Sequence, residues 1–335
     1  MKLEYKYIVG TQFMFYELEM LPEYVEALTD TLTDIENTDN VCFDFNLNIS
    51  EYFEKIDTSR TSKEKLIEKF ETTIAPLKEL TNVKTSIYDD DNKARSMVDY
   101  RRDLNYFGCQ DYDYVIWGES DAFPPKQMFQ VLDMLKTQAN SQGIHRYITT
   151  FAVRKMWDDS WRVLEHPEFT DKPYYDMDTE EDKKKAESSP WSIRYTMSQR
   201  EMDEVNSKTK ELDVKMINYP KFDGSGLVIS SDLLRTGANI PPAVYMNGDD
   251  SSFLESCRLH MGDRYAQFVI NNILKVHNRN HPNKRHYVKG EDQTKNTHFK
   301  RATKNWYKEF NDISKGNLNK LYRSQEPFAK KDFKK

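Results

Sequence analysis

Cysteine is scarce in this 335-residue chain: Cys42, Cys109 and Cys257 are widely spaced and odd in number. Neither a disulfide framework nor a CxxC metal pair can be built from them, so buried, indifferent thiols in a reducing cytoplasm are expected. Long apolar runs are missing too. No stretch reaches the roughly 20 residues of a membrane helix, and the first ten residues carry Lys2, Glu4 and Lys6 where a signal peptide would be apolar. The expectation is a chain without a membrane partner. No internal repeat or low-complexity tract interrupts it.

What is present suffices for a core. Hydrophobic residues make up 38% and aromatics 13%, while 31% charged residues imply a well-solvated surface. One main domain over residues 1–290, followed by a helical C-terminal extension over 291–335, accommodates the length. The net charge of -6 hides an uneven distribution. From Lys275 to Lys335 there are seventeen Lys and Arg against six Asp and Glu, a net +11, which leaves -17 for the rest. The C-terminal end is therefore the basic one.

Periodicity orders the elements. Tyr5 to Gly10 reads as a strand, Glu17 to Leu32 as a helix, and Val41 to Ile49 alternates as a half-buried strand. Ser62 or Thr61 caps a helix to about Leu80, Val83 to Tyr88 is a third strand, and a helix covers about Lys93 to Phe107. Tyr112 to Trp117 is a compact apolar strand, Pro124-Pro125 opens a helix through Leu135, and Arg146 to Val153 is the next strand. This alternation predicts an α/β fold with a mostly parallel sheet flanked by helices. Residues 165–215 read as an insertion. Leu227 to Ile229 is a short strand, Asn247-Gly248-Asp249-Asp250 caps a helix, and Thr303 to Tyr322 reads as a terminal helix pair.

Open parallel sheets bind ligands beyond the carboxyl ends of their strands. Acidic clusters stand at three such places: Asp89 to Asp91, Glu119-Ser120-Asp121, and Asp249-Asp250. Two carboxylates one residue apart in a tight turn suit a hard divalent cation that keeps positions open for phosphate oxygens. A solvated acidic turn is the plainer reading of any one of them.

The run Asp113-Tyr114-Val115-Ile116-Trp117-Gly118-Glu119-Ser120-Asp121 resembles the apolar strand and DxD signature of GT-A glycosyltransferases, with glutamate in place of the first aspartate. That resemblance implies a GT-A, Rossmann-like fold, a Mn2+ or Mg2+ cofactor, and a UDP-sugar donor. It implies Asp121 as direct metal ligand, Glu119 on the ribose or a metal-bound water, and His277 closing the metal shell. It further implies that Gly10-Thr11-Gln12-Phe13 form an exit loop lining the nucleotide and that Asp90 meets the base. Arg95, or else Arg101 or Arg102, would approach the diphosphate. Gly224-Ser225-Gly226 resembles the glycine-containing segment on the acceptor side, and Asp249-Asp250 the acidic pair of inverting members, with Asp250 as candidate base.

Within that family the chain looks most like phage-encoded transferases that glycosylate hydroxymethylated cytosine in DNA, through its length, missing anchor and basic end. His281 to Lys289 and Phe299 to Lys308 mix cations with aromatics, which suits phosphate contact and base stacking. The implied partner is double-stranded DNA with hydroxymethylated bases, in the cytoplasm of an infected bacterium. Two readings stay open beside it: a GT-A transferase of surface-polysaccharide assembly, and a metal-dependent nucleic-acid hydrolase using the same carboxylates.

Overall fold

The computed structural model describes residues 1–156, 159–171, 197–218, 222–244, 248–278, 299–300 and 306–323. Its centre is an eight-stranded sheet. The first half of the chain contributes β1 (Tyr7–Met14), α1 (Leu21–Asp30), β2 (Val41–Asn48), β3 (Lys55–Ile56), α2 (Lys63–Leu80), β4 (Asn82–Tyr88), α3 (Met97–Asp111), β5 (Tyr114–Trp117), β6 (Ala122–Phe123), α4 (Met128–Ser141) and β7 (Tyr147–Ala152). The second half adds α5 (Pro167–Thr170), α6 (Gln199–Asn206), β8 (Val214–Met216), β9 (Val228–Ser230), α7 (Ser231–Leu234), α8 (Asp249–Met261), β10 (Ala266–Leu274), β11 (Val276–His277), β12 (Phe299–Lys300) and α9 (Trp306–Leu318).

Strand order is β4-β2-β1-β5-β9-β7-β10-β8. The pairs β4/β2, β2/β1, β1/β5 and β7/β10 are parallel, whereas β9 runs against both β5 and β7, and β8 against β10. The mostly parallel α/β sheet anticipated from the element order is therefore present. Alternation explains its two buried faces. Along β5, Tyr114 and Ile116 join the core beneath α1, α2 and α4, while Val115 and Trp117 join the core beneath α3, α7 and α8. Ser62 accepts from the Lys65 amide to start α2, and Ser96 with Asp99 forms a capping box that fixes the start of α3.

Several boundaries differ from the expectation. Gly10-Thr11-Gln12-Phe13 is not an exit loop: it lies inside β1, paired with Asp44 to Leu47 of β2, and Thr11, Gln12 and Phe13 are buried. Polar side chains break the apolar run there, but the neighbouring strand keeps the backbone extended. Pro124-Pro125 does not open α4; the pair follows the short strand β6, and the helix begins at Met128. The insertion is only partly one, because α6 packs under the sheet and β8 extends it as an edge strand. Among the described residues of the C-terminal end one helix, α9, runs into a π-helical turn at Asn319–Arg323, where a helix pair is expected from the sequence. Asn247 and the segment His281 to Lys289 lie outside the described residues. The three thiols are buried, and burial raises their pKa values, so they carry no chemistry.

Candidate active site

The site begins where β5 runs out. Gly118 donates from its backbone to the Gly10 carbonyl at 2.8 Å, and a Cβ at Gly118 would overlap the Thr11 and Tyr24 hydroxyls, which bond each other at 2.7 Å. The chain must be glycine there to lie so close to β1. Thus Gly10 and Thr11, expected to line a nucleotide, instead hold the floor beneath the turn. The turn closes with the Ala122 amide on the Glu119 carbonyl at 3.0 Å and leads into β6.

A two-residue ribbon then completes the cluster. β6 pairs antiparallel with β11, setting His277 opposite Ala122, and the Asn278 amide donates to the Asp121 carbonyl at 2.6 Å. His277 Nε2 consequently stands 3.1 Å from Glu119 Oε2 and 3.6 Å from Asp121 Oδ2, while Nδ1 faces Asp223 Oδ2 at 3.9 Å. Glu119, Asp121 and His277 place ligand atoms within 4.8 Å of one another, the arrangement that can hold a metal ion among the described residues. Asp121 and His277 are buried, and so is Ser120 between the two carboxylates.

Two buried cations brace this cluster. Arg101 of α3 donates to Glu119 Oε1 at 2.7 Å, to Asp249 Oδ2 at 2.5 Å and to the Gly224 carbonyl at 3.2 Å, with its guanidinium 4.8 Å over the Trp117 ring. Burial opposes its charge, but Asp249 and Glu119 outweigh that and raise its pKa. Lys275 donates to Asp223 at 2.8 Å and to the Ser225 carbonyl. Burial alone would raise the Asp223 pKa; Lys275 and His277 overcome it and hold the carboxyl at about 2.

The segment around Gly224-Ser225-Gly226 is stitched to the same strand end. The Gly226 amide donates to the Trp117 carbonyl at 2.9 Å, and Gly226 itself has φ of +62°. A Cβ at Gly224 would come within 2.7 Å of the Arg101 guanidinium, so the close approach of backbone to cation needs glycine. Asp249 and Asp250 open α8, with Gly248 at φ +82° ahead of them. Asp250 is pushed up to about 7 by burial first and by the charge of Asp249 second.

Of the sequence-predicted residues, Glu119, Ser120, Asp121, His277, Gly224 to Gly226, Asp249 and Asp250 thus surround the carboxyl end of β5. Arg95, Arg102 and Asp90 stand apart from this cluster. Arg95 pairs with Asp103 at 2.8 Å and lies over Tyr88, so the arginine among the carboxylates is Arg101. Arg102 caps carbonyls of Ile240, Pro241 and Val244. Asp90 bonds within its own turn, to the Asn92 amide. Asp223 and Lys275 were missed, although a lone lysine between the apolar Leu274 and Val276 was a visible signal. Arg101 was visible too, since Val98, Arg101, Asn105 and Gly108 lie on one helical stripe.

No known protein family and no curated protein matches the chain. Solved structures with a similar outline include residues 1–349 of S. aureus TarS, at TM-score 0.44 and 11% identity, covering 81% of this chain and 59% of that one. The glucosyl-3-phosphoglycerate synthase of Mycobacterium tuberculosis, crystallised with Mg2+ and uridine diphosphate, is similar at TM-score 0.36 and 13% identity, covering 82% of this chain and 72% of that one. The chain therefore spans less than two thirds of the TarS structure it matches. No helix among the described residues is long and apolar enough to cross a membrane.

Proposed function

We propose that the protein is a metal-dependent glycosyltransferase of GT-A type, moving a sugar from a UDP-sugar to an acceptor hydroxyl. The observation that carries this reading is the meeting of Glu119, Asp121 and His277 at the end of a central parallel strand. Charge and donor chemistry fit a divalent ion there. Five carboxyl groups gather, at Glu119, Asp121, Asp223, Asp249 and Asp250, against the two fixed cations Arg101 and Lys275. Oxygen and imidazole ligands suit manganese or magnesium. The orientation of His277 adds to the fit: Nε2 faces the carboxylate pair and Nδ1 lies 3.9 Å from Asp223 Oδ2, on the side where a further carboxylate can orient a metal-bound imidazole.

Asp121, Glu119 and His277 would hold the ion, whose charge offsets that developing on the diphosphate leaving group. Asp250, with its carboxyl near neutrality, accepts the proton of the acceptor hydroxyl as that oxygen attacks the anomeric carbon. Asp249, fixed by Arg101, keeps the start of α8 in register with the metal turn. Gly224 to Gly226 would line the acceptor side, with Arg101 and Lys275 taking up the space their missing side chains leave.

For the acceptor we propose the hydroxymethyl group of a modified cytosine in duplex DNA. The net +11 of residues 275–335 supports a polyanionic partner. Mass spectrometry of hydroxymethylated and ordinary DNA after incubation with manganese and a panel of UDP-sugars tests donor and acceptor together. A mass gain on the modified DNA alone is expected, and cleavage of DNA without any sugar donor would point to a hydrolase instead. The metal assignment has its own test. Asp121→Ala should weaken manganese-dependent UDP binding by at least about 100-fold with circular dichroism unchanged; unaltered UDP affinity would remove the assignment.

A further inference from the structure

The loop that leads to the acid pair is held from two sides. From one side Arg102 donates to the carbonyls of Ile240, Pro241 and Val244. From the other comes α9, in the basic C-terminal extension. Asn317 donates to the Ala243 carbonyl at 2.6 Å, and the Leu318 side chain lies 3.4 Å from where a Cβ of Gly248 would stand. Gly248 is the residue immediately before Asp249 and Asp250. Its left-handed φ of +82° and its bare Cα let Leu318 close on the helix start.

The helix is built for this contact. Ser314 is fully buried and Leu318, one turn on, is 8% exposed, so the pair forms an inner stripe. Lys315 and Lys320 are exposed on the outer side. Upstream, β12 pairs with β3, which follows the carboxyl end of β2. The extension is thereby fastened at two separate places, to β3 and beside the Asp249-Asp250 helix start.

We infer that α9 is a brace for catalysis, with Leu318 and Asn317 as positioning residues that set the Asp250 carboxylate against the acceptor. This rests on the reading of Asp250 as the base. The side chain of Asp250 depends on its own backbone for direction, since its Oδ1 accepts from the Ser251 amide at 2.6 Å. Gly248 caps the helix that Asp249 and Asp250 open, so a shift of Gly248 carries the Asp250 carboxylate with it, and a displacement of about 1 Å at a reacting group costs on the order of 100-fold in rate.

The test uses the full chain with manganese and a panel of UDP-sugars, reading UDP release with water as acceptor and, separately, UDP affinity by calorimetry. The double variant Asn317→Ala with Leu318→Ala should lower kcat by about 10- to 100-fold while UDP affinity stays within about twofold. Leu318→Met, which keeps the volume, should restore kcat. Ile313→Ala, on the exposed side of the same helix, should leave both unchanged. Should the double variant fail to fold, Leu318→Ala alone against Leu318→Met carries the same comparison. Equal kcat in the Leu318→Ala and Ile313→Ala proteins overturns the brace, as does a fall in UDP affinity that parallels kcat. Asp250→Asn separates the two levels: if it abolishes turnover while the α9 variants do not, the brace alone is wrong. Full turnover in Asp250→Asn, or no UDP release by the unaltered protein, overturns the catalytic reading and the brace with it.

Discussion

Two acidic turns follow two parallel strands of one sheet, β4 at its edge and β5 at its centre, and they have become different things. Asp89 to Asp91 follow β4, the edge strand, whose residues are mostly exposed. There Lys63 reaches Asp89 and Asp91 across a solvated surface, and Asp91 is held below the ordinary carboxylate range by the Glu51 amide first, with Lys63 adding to it. Glu119 to Asp121 follow β5, which is buried along its whole length. Other elements close over that turn: α3, the helix just before β5, with Arg101, and from far along the chain β11 with His277 and α8 with Asp249. An acidic triplet becomes a candidate site through the strand that carries it. At an edge water solvates the charge, whereas in the centre only other side chains or a bound ion can.

Stability should separate the two turns most sharply. Arg101→Met leaves Glu119 and Asp249 facing each other without their shared cation and should cost about 3–5 kcal/mol in urea unfolding. A loss below about 1 kcal/mol would place the central turn in the same class as the edge one. Activity should separate them next. Asp250→Asn should lower kcat by about 10²- to 10⁴-fold, against no change for Asp89→Asn.

Asp250 must be ionised to act as base, so the rate of the unaltered protein should rise with pH to a plateau above about 7, and the variant should lack that limb. Stability runs the other way. The folded state binds the Asp250 proton more tightly than the unfolded chain does, so this contribution is complete below pH 3.8 and is lost as pH rises through about 7. Asp91, with its lowered pKa, adds stability above pH 3.8 that disappears on acidification below its folded value.

Smaller effects sharpen the same contrast. Gly118→Ala forces a methyl into the Thr11 and Tyr24 hydroxyls and should destabilise by about 1–3 kcal/mol in thermal unfolding. At the edge, Lys63→Met should shift stability by less than about 1 kcal/mol at low salt and by nothing measurable at high salt. An equal response of these two variants would mean that the β5 turn is no more tightly packed than the solvated one.

Much of the fold was legible because burial on two faces writes apolar runs into β2, β5 and β7 and helical stripes between them. β1 was cut short at Gly10 for a physical reason. The carboxyl end of a strand that supports a polar site carries Thr11 and Gln12, and polarity there reads as a loop. The acidic turn was legible for its position after an apolar strand, as were His277 after the run ending at Leu274 and the acid pair at Asp249-Asp250. Proximity to the acidic turn at Asp89 favours Arg95, whereas the helical phase of Val98, Arg101, Asn105 and Gly108 points to Arg101. Asp223 and Lys275 pair across 52 positions and His277 meets Ala122 across a ribbon, and local sequence does not encode either meeting.

The ribbon between β6 and β11 also has a temporal meaning. It joins segments about 150 residues apart, and loops of that length close late, after local contacts have formed. A growing polypeptide that has emerged only as far as β10 already possesses both acidic side chains of the turn but not the imidazole. The grouping of Glu119, Asp121 and His277 is therefore complete only once β11 has paired with β6, and half-made chains lack it.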